Sequence, residues 1–166
     1  QELIRSGCRC VLNVGGNMDV KTPSIRRYRA CEVMLQEAGV DCINACLEQE
    51  FNRQTYQVEI ERLLRQYPQA DGLFSTDLIA LNAMKLLNTH GVNVPDAFSI
   101  VGYDGVEISS LCTPALTHVR QPLQQLADVC VQTLVRKMQG ESLTKNVILE
   151  DVELVRGGTT RPMADP

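Results

Sequence analysis

Five places along the sequence hold side chains of the kinds that grip a polyhydroxylated molecule: Asn17 to Arg27, Phe51, Thr76-Asp77, Tyr103-Asp104 and Gln121. Each follows a short apolar run. Arg27 comes after CRCVLNV and Gly15-Gly16-Asn17, Phe51 after Val40 to Leu47, and Thr76 after Leu73-Phe74. Asp104 comes after Phe98 to Val101, and Gln121 after LTHVR. Arginine, aspartate and glutamine offer planar, paired donors and acceptors to adjacent hydroxyls, and threonine adds a hydroxyl. An aromatic face suits the C–H side of a sugar ring. The set holds no nucleophile–base pair, no histidine beside a serine or cysteine, and no carboxylate cluster for a metal. It therefore points to holding a polyol without breaking bonds, and no catalytic residue, metal or cofactor is assigned.

These residues meet only if the elements between them place them together. The stretch Asp71 to Gly105 shows how. Leu73-Phe74 runs into Ser75-Thr76-Asp77, and Ala80, Ala83, Met84 and Leu87 then recur at helical spacing up to Gly91. A second apolar run ends in Gly102-Tyr103-Asp104-Gly105. Strand, helix, strand is a βαβ unit with parallel strands and a right-handed crossover. Both polar clusters then lie at the carboxyl ends of neighbouring strands, where open α/β sheets bind ligands.

The same alternation recurs on either side. Arg9 to Val14 reads as a strand, and Thr22-Pro23 opens a helix with the stripe Tyr28, Cys31, Leu35 and Ala38, closed by Gly39. Val40 to Leu47 is the next strand, and Asn52 opens a helix carrying Tyr56, Ile60, Leu63, Leu64 and Tyr67, stopped by Pro68. Glu107 to Cys112 is a short helix or turn, and Leu116 to Arg120 a strand. Gln121-Pro122 opens a long helix with Leu123, Leu126, Ala127, Cys130, Leu134 and Met138 on one stripe, ending at Gly140. Val147 to Leu149 and Val152 to Val155 read as two further short strands. The fold class is α/β, a doubly wound parallel sheet.

Several residues have a plainer reading beside the functional one. Arg26, Arg27 and Arg29 at a helix amino end oppose its dipole by about 0.3–1 kcal/mol each, yet form an ordinary solvated face if none meets a ligand. Phe51 serves equally as a hydrophobic staple for the helix after it. Gly15-Gly16 lacks the GxGxxG spacing of a nucleotide loop. His118 sits inside a strand without a partner and reads as structural or exposed.

Composition narrows the class. The 166 residues suffice for one domain with its own core, and 44% hydrophobic with 22% charged residues is a globular balance. A net charge of −4 argues against this piece gripping nucleic acid by itself. No apolar run approaches the roughly 20 residues that cross a bilayer, so no membrane partner is expected. The seven cysteines form no CxxC, and the two histidines add no ligand spacing. Buried free thiols in a reducing cytosol are favoured over a metal site or disulfides, although Cys8 and Cys10 would share a strand face. Leu3-Ile4 followed by Gly7 looks like the end of a helix, so an excised fragment is expected.

The quoted segments also carry a resemblance. GGN, IRRYRACEVMLQEAGV, LFSTDLIALNAMKLLNTHGVNVPDAFSIVGYDG, TPALTHVRQPLQQLA and ELVRGGTTR resemble, across nearly the whole chain, the effector-binding domain of LacI/GalR-family bacterial transcription repressors. That domain is in turn similar to periplasmic sugar-binding proteins. The resemblance implies a periplasmic-binding-protein-like type I, Rossmann-like subdomain over residues 1–120. It implies a crossover helix and strand over 121–150 that normally pack on the N-terminal subdomain, and a return strand and tail over 151–166. It assigns effector contacts to Arg27, Phe51, Thr76, Asp104 and Gln121. Thr76 stands where the family usually has asparagine, which alters the hydrogen-bond pattern, Ala30 where glycine is frequent, and Gly105 where a second aspartate is common. GYDG resembles sucrose-operon repressors and hints at a sucrose- or fructose-type effector.

A cytoplasmic homodimer that is not an enzyme is implied. A small carbohydrate effector would shift the closure of a two-lobed clamp, a coupling of about 1–3 kcal/mol, and operator DNA would be met only through a helix-turn-helix absent from these residues. The stripe of the 122–139 helix would lack its usual partner and be exposed, repacked or covered by a second copy. Two other classes stay open. One is a periplasmic or lipoprotein sugar-binding protein, against which the free cysteines and VRGGTTR stand. The other is a doubly wound enzyme acting on a sugar phosphate, which a turnover screen would reveal.

Overall fold

The computed structural model describes residues 1–15, 23–47, 53–142 and 152–162. Within them the chain runs α1 (Glu2–Arg5), β1 (Cys10–Gly15), α2 (Pro23–Glu37), β2 (Asp41–Cys46), α3 (Arg53–Gln66), β3 (Gly72–Phe74) and α4 (Asp77–Thr89). It continues through β4 (Ser99–Asp104), α5 (Ile108–Leu111), β5 (Thr117–Arg120), α6 (Leu123–Met138) and β6 (Glu153–Val155). Asn17, Thr22, Phe51, Asn52 and the 147–149 strand expected from the sequence lie outside the described residues.

The strands form one sheet in the order β2-β1-β3-β4-β5-β6. The first five are mutually parallel, with Val11 opposite Cys42 and Gly72, Leu73 opposite Ile100, and Asp104 opposite Arg120. β6 joins β5 antiparallel, so the otherwise parallel sheet carries one reversed edge strand. The chain moves from β1 outward to β2, then back across to β3. The β1–β3 boundary is therefore the point where the winding reverses, and the crevice beyond its carboxyl ends is the favoured ligand position.

Alternation along the strands builds two cores. Leu12, Val14, Leu73 and Ile100 face α3 and α4, where they meet Tyr56, Ile60, Leu63, Ile79, Ala83 and Leu87. Val11 and Val101 point the other way and pack with Leu3 of α1, Leu35 of α2, and Cys8 and Val40 from the segments that follow those helices. The helices stop at glycines with left-handed backbone, φ 70° at Gly39 and 72° at Gly91, a conformation that glycine adopts without penalty.

The end of the described chain is tied into the sheet. Thr159 is fully buried; its hydroxyl donates to the Ile100 carbonyl at 2.8 Å and accepts from the Thr117 N–H at 2.9 Å. Arg161 donates to the Ser6 carbonyl at 2.7 Å, and Arg156 forms a forked pair with Glu2 at 2.9 and 3.1 Å.

One expectation needs adjustment. Of the seven cysteines, only Cys8 and Cys10 are buried. Cys31, Cys42, Cys46 and Cys112 are partly covered and Cys130 is exposed, because β2 is an edge strand and α6 buries nothing. Burial still raises the Cys31 thiol to about 12 and Cys42 to about 11, so both stay protonated at neutral pH. His118 is buried, with Nδ1 2.9 Å from the Leu116 carbonyl, a structural placement. The α6 stripe is open: none of its residues is buried and Met138 is 79% exposed.

Gly102 marks a tight place in the fold. A Cβ there would stand 2.2 Å from Asp77 Oδ1 and 2.7 Å from Leu116 Cδ2. Gly102→Ala is expected to destabilise the protein by about 1–3 kcal/mol, the usual cost of overpacking. Urea unfolding monitored by circular dichroism checks this; an unchanged midpoint would contradict it.

Candidate functional site

Three of the five sequence-nominated residues touch one another at the carboxyl edge of the sheet. Arg27 Nη1 lies 3.3 Å from Asp104 Oδ1, and Gln121 Nε2 donates to the same oxygen at 2.9 Å. The Gln121 backbone N–H also donates to the Asp104 carbonyl at 3.2 Å. Thr76 lines a small hollow with Arg27 and Tyr103, beside Asn13, Val14, Ser24 and Ser75. Its position as N-cap of α4 makes no side-chain capping bond, so the hydroxyl is not engaged by the helix. Phe51 falls outside the described residues.

Each side chain is placed by its element. Arg27 sits one turn into α2, which is fixed to the sheet by an amide ladder that runs from buried Asn13 out to exposed Asn44. Asn13 Nδ2 donates to the Tyr28 carbonyl and to Asn44 Oδ1, both at 2.9 Å, and Asn44 Nδ2 donates to Glu32 at 2.6 Å. Ser75 Oγ donates to the Val14 carbonyl at 2.7 Å, clasping the ends of β1 and β3 together. Asp104 ends β4 with φ 136°, a conformation that side-chain-bearing residues rarely hold and that costs about 1–3 kcal/mol.

Two aromatic residues, Tyr103 and Phe74, complete the site. The Arg27 guanidinium carbon lies 4.1 Å from the centroid of Tyr103, and Tyr103 meets Phe74 edge to face at 6.5 Å. The stacking holds the arginine flat over the ring, an attraction of about 0.5–1 kcal/mol where solvent reaches it. Tyr103 was legible as the neighbour of Asp104 in the β4 loop. Phe74 was hidden because an aromatic in a short apolar run reads as core.

Desolvation by burial raises the Asp104 carboxyl above the ordinary aspartate range. Arg27, by charge and hydrogen bond, and the Gln121 hydrogen bond oppose the rise, while the charge of Asp77 adds to it. The Arg27–Asp104 pair is itself about one-third exposed (27% and 32%), so it fixes geometry more than it stabilises the fold.

The polar hollow has a volume of about 30 Å³, far below the roughly 300 Å³ at which ligand pockets begin. It can serve as one wall of a sugar site, not as an enclosure. A wider cleft of about 410 Å³ opens next to it, between α1, α2 and the sheet, bordered by Leu3, Met34, Val101, Val119 and Leu154. Its lining is apolar and does not match a polyol. Among the described residues no group of three or more histidine, cysteine, aspartate or glutamate side chains is placed to hold a metal ion. No helix among them is long and apolar enough to cross a membrane.

The charge balance at Asp104 makes a pH prediction. A raised pKa means that the folded state holds the proton more tightly than the unfolded chain. Ionised Asp104 therefore lowers stability above the unfolded pKa, and this is relieved as pH falls through the folded value. In ¹³C NMR of labelled aspartates, the Asp104 carboxyl should titrate above the ordinary aspartate value, and Arg27→Gln should raise it further. A midpoint at or below the ordinary value would contradict the burial assigned to it.

The family model described as a periplasmic binding protein-like domain matches residues 1–160. The ribose operon repressor of Halalkalibacterium halodurans is 31% identical over 144 residues, which cover 86% of this chain and 43% of that protein. The transcriptional regulator GntR of Escherichia coli is 28% identical over 158 residues, covering 95% of this chain and 47% of that protein. The chain thus spans less than half the length of these two relatives. Among solved structures, the complex of the transcriptional regulator CelR with cellobiose superposes with a TM-score of 0.83 at 24% identity, covering 95% of this chain and 48% of that one. That likeness carries the fold.

Proposed function

The chain belongs to the periplasmic binding protein-like domain family, and from that premise we propose that it is the effector-sensing part of a sugar-responsive, LacI-type bacterial transcriptional regulator. The observation that carries the reading is the meeting of Arg27, Asp104 and Gln121 at the sheet's carboxyl edge, next to Tyr103 and Thr76. Paired donors and acceptors with an adjoining aromatic face suit a small carbohydrate.

The ligand is held, not transformed. Arg27 donates through a planar fork, Asp104 accepts, and Gln121 and Thr76 complete the hydroxyl pattern. Phe51, which follows β2 in the sequence, adds a ring face in this reading. Thr76 in place of the family's usual asparagine selects a different hydroxyl arrangement, and a sucrose- or fructose-type sugar is the narrower candidate. The second wall of the site is a partner lobe, joined through the 121–150 segment. Sugar that touches both walls favours the closed clamp, and the DNA-binding heads of a cytoplasmic homodimer are re-spaced as a result. Operator contacts fall outside these 166 residues. Two relatives, a ribose operon repressor and GntR, support the regulator class, and a cellobiose-bound structural neighbour supports the ligand class.

Calorimetry on the full-length protein with D-ribose, gluconate, cellobiose, lactose, sucrose and D-fructose tests the reading. One of these should bind, and Arg27→Ala and Asp104→Ala should each weaken it by at least about 1.5 kcal/mol through loss of a charged hydrogen bond. Full affinity in both variants would remove the site assignment, and silence across the panel would remove the ligand class.

A further inference from the structure

Asp77 is fully buried, although it stands in the first turn of α4, directly after Thr76. Its Oδ2 accepts three hydrogen bonds, from the Gly105 N–H at 2.9 Å, the Val106 N–H at 2.9 Å and the Ser109 hydroxyl at 2.8 Å. Its Oδ1 has no hydrogen-bond partner among the described residues and lies against Gly102, where no side chain could stand. A buried carboxylate is costly unless hydrogen bonds compensate it, and here all three compensating bonds go to residues 105–109. The packing of α4 does not need it: Ile79, Ala80, Ala83, Met84 and Leu87 bury that helix on the sheet.

What Asp77 does hold is the turn that follows Asp104. Asp104 and Gly105 both have left-handed backbone, φ 136° and 80°. The peptide unit between them is gripped at both ends. Its carbonyl oxygen accepts from the Gln121 N–H at 3.2 Å, and its N–H donates to Asp77 Oδ2. Freed of the second grip, the unit has no reason to keep a conformation that an aspartate disfavours. The grip comes from the residue next to Thr76, so one buried carboxylate sets the relative placement of two candidate effector contacts.

We propose that Asp77 is a positioning residue that holds the Asp104 carboxylate against Arg27 and Gln121 by fixing the 104–109 turn. Its consequence for ligand affinity rests on the sugar-site reading above; its consequence for Asp104 itself does not.

The test is a double-mutant cycle in the full-length protein, read by calorimetry with cellobiose, lactose, D-ribose and sucrose. Asp77→Asn should weaken the bound sugar about tenfold, yet cause no further loss in an Asp104→Ala background, because it acts only through that carboxylate. Losses that add, as a general loosening would give, overturn the proposal, and so does full affinity in Asp77→Asn. Should Asp77→Asn fail to fold, Ser109→Ala removes one of the three donors. It should give a smaller loss with the same non-additivity, and an additive or absent loss counts against the proposal.

A sugar-free readout separates the two readings. In ¹⁵N NMR the Arg27 guanidinium and the Gln121 side-chain amide signals should move in Asp77→Asn towards their positions in Asp104→Ala, since the carboxylate that both meet is no longer held against them. Unmoved signals overturn the proposal. Moved signals with none of the four sugars bound would leave the positioning role standing and sink the ligand class instead.

Discussion

The contact of Asp104 with Arg27 and Gln121 joins residues 77 and 17 positions apart in the chain. It exists only because β1, β3, β4 and β5 are parallel and end at one edge, so the loops that leave them cannot avoid one another. Helices on both faces supply the apolar cover that a parallel sheet requires. The β4 edge also concentrates the strain. Asp104 holds a backbone angle that its side chain disfavours, and it does so at the position where its carboxylate meets an arginine and an amide. Local strain of this kind survives only where surrounding bonds over-determine it, and here they come from α4, β5 and α2 together.

The energies at this edge are individually small. The Arg27–Asp104 pair is partly wet and the stacking of Arg27 on Tyr103 is a modest attraction. Their value is in narrowing the arginine to one orientation before anything binds. A planar fork that is already flat over a ring loses less freedom on meeting paired hydroxyls than a free arginine would. The ladder of Asn13, Asn44 and Glu32 serves the same end from beneath, since it fixes the helix that carries Arg27.

Much of this was legible beforehand, for reasons that can be named. The helix ending at Gly39 and the one ending at Gly91 were visible because period-3.6 stripes stop at glycines suited to left-handed backbone. The strands came within one to three residues at each end. The meeting of Arg27, Asp104 and Gln121 followed from parallel topology alone. What escaped has physical causes too. Phe74 sits in a strand, where an aromatic looks like core whether or not its edge reaches a cleft. The burial of Asp77 could not be read because a carboxylate after an N-cap threonine is usually a solvated residue that offsets the helix dipole. The thiols at the β2 edge looked deeply buried because apolar runs do not reveal which strand is outermost. For α6 the apolar stripe was plain, and the described residues place nothing over it.

The central claim is that loops from separate strands form one wall that holds a carbohydrate. Hydrogen–deuterium exchange of the full-length protein, with and without a saturating sugar, tests it most directly. Protection should rise at residues 24–28, 75–78, 103–106 and 121–124, and stay unchanged around Gly39, Asp71 and Gly91 at the opposite edge of the sheet. Protection confined to that opposite edge, or to the apolar cleft under α2, would contradict it.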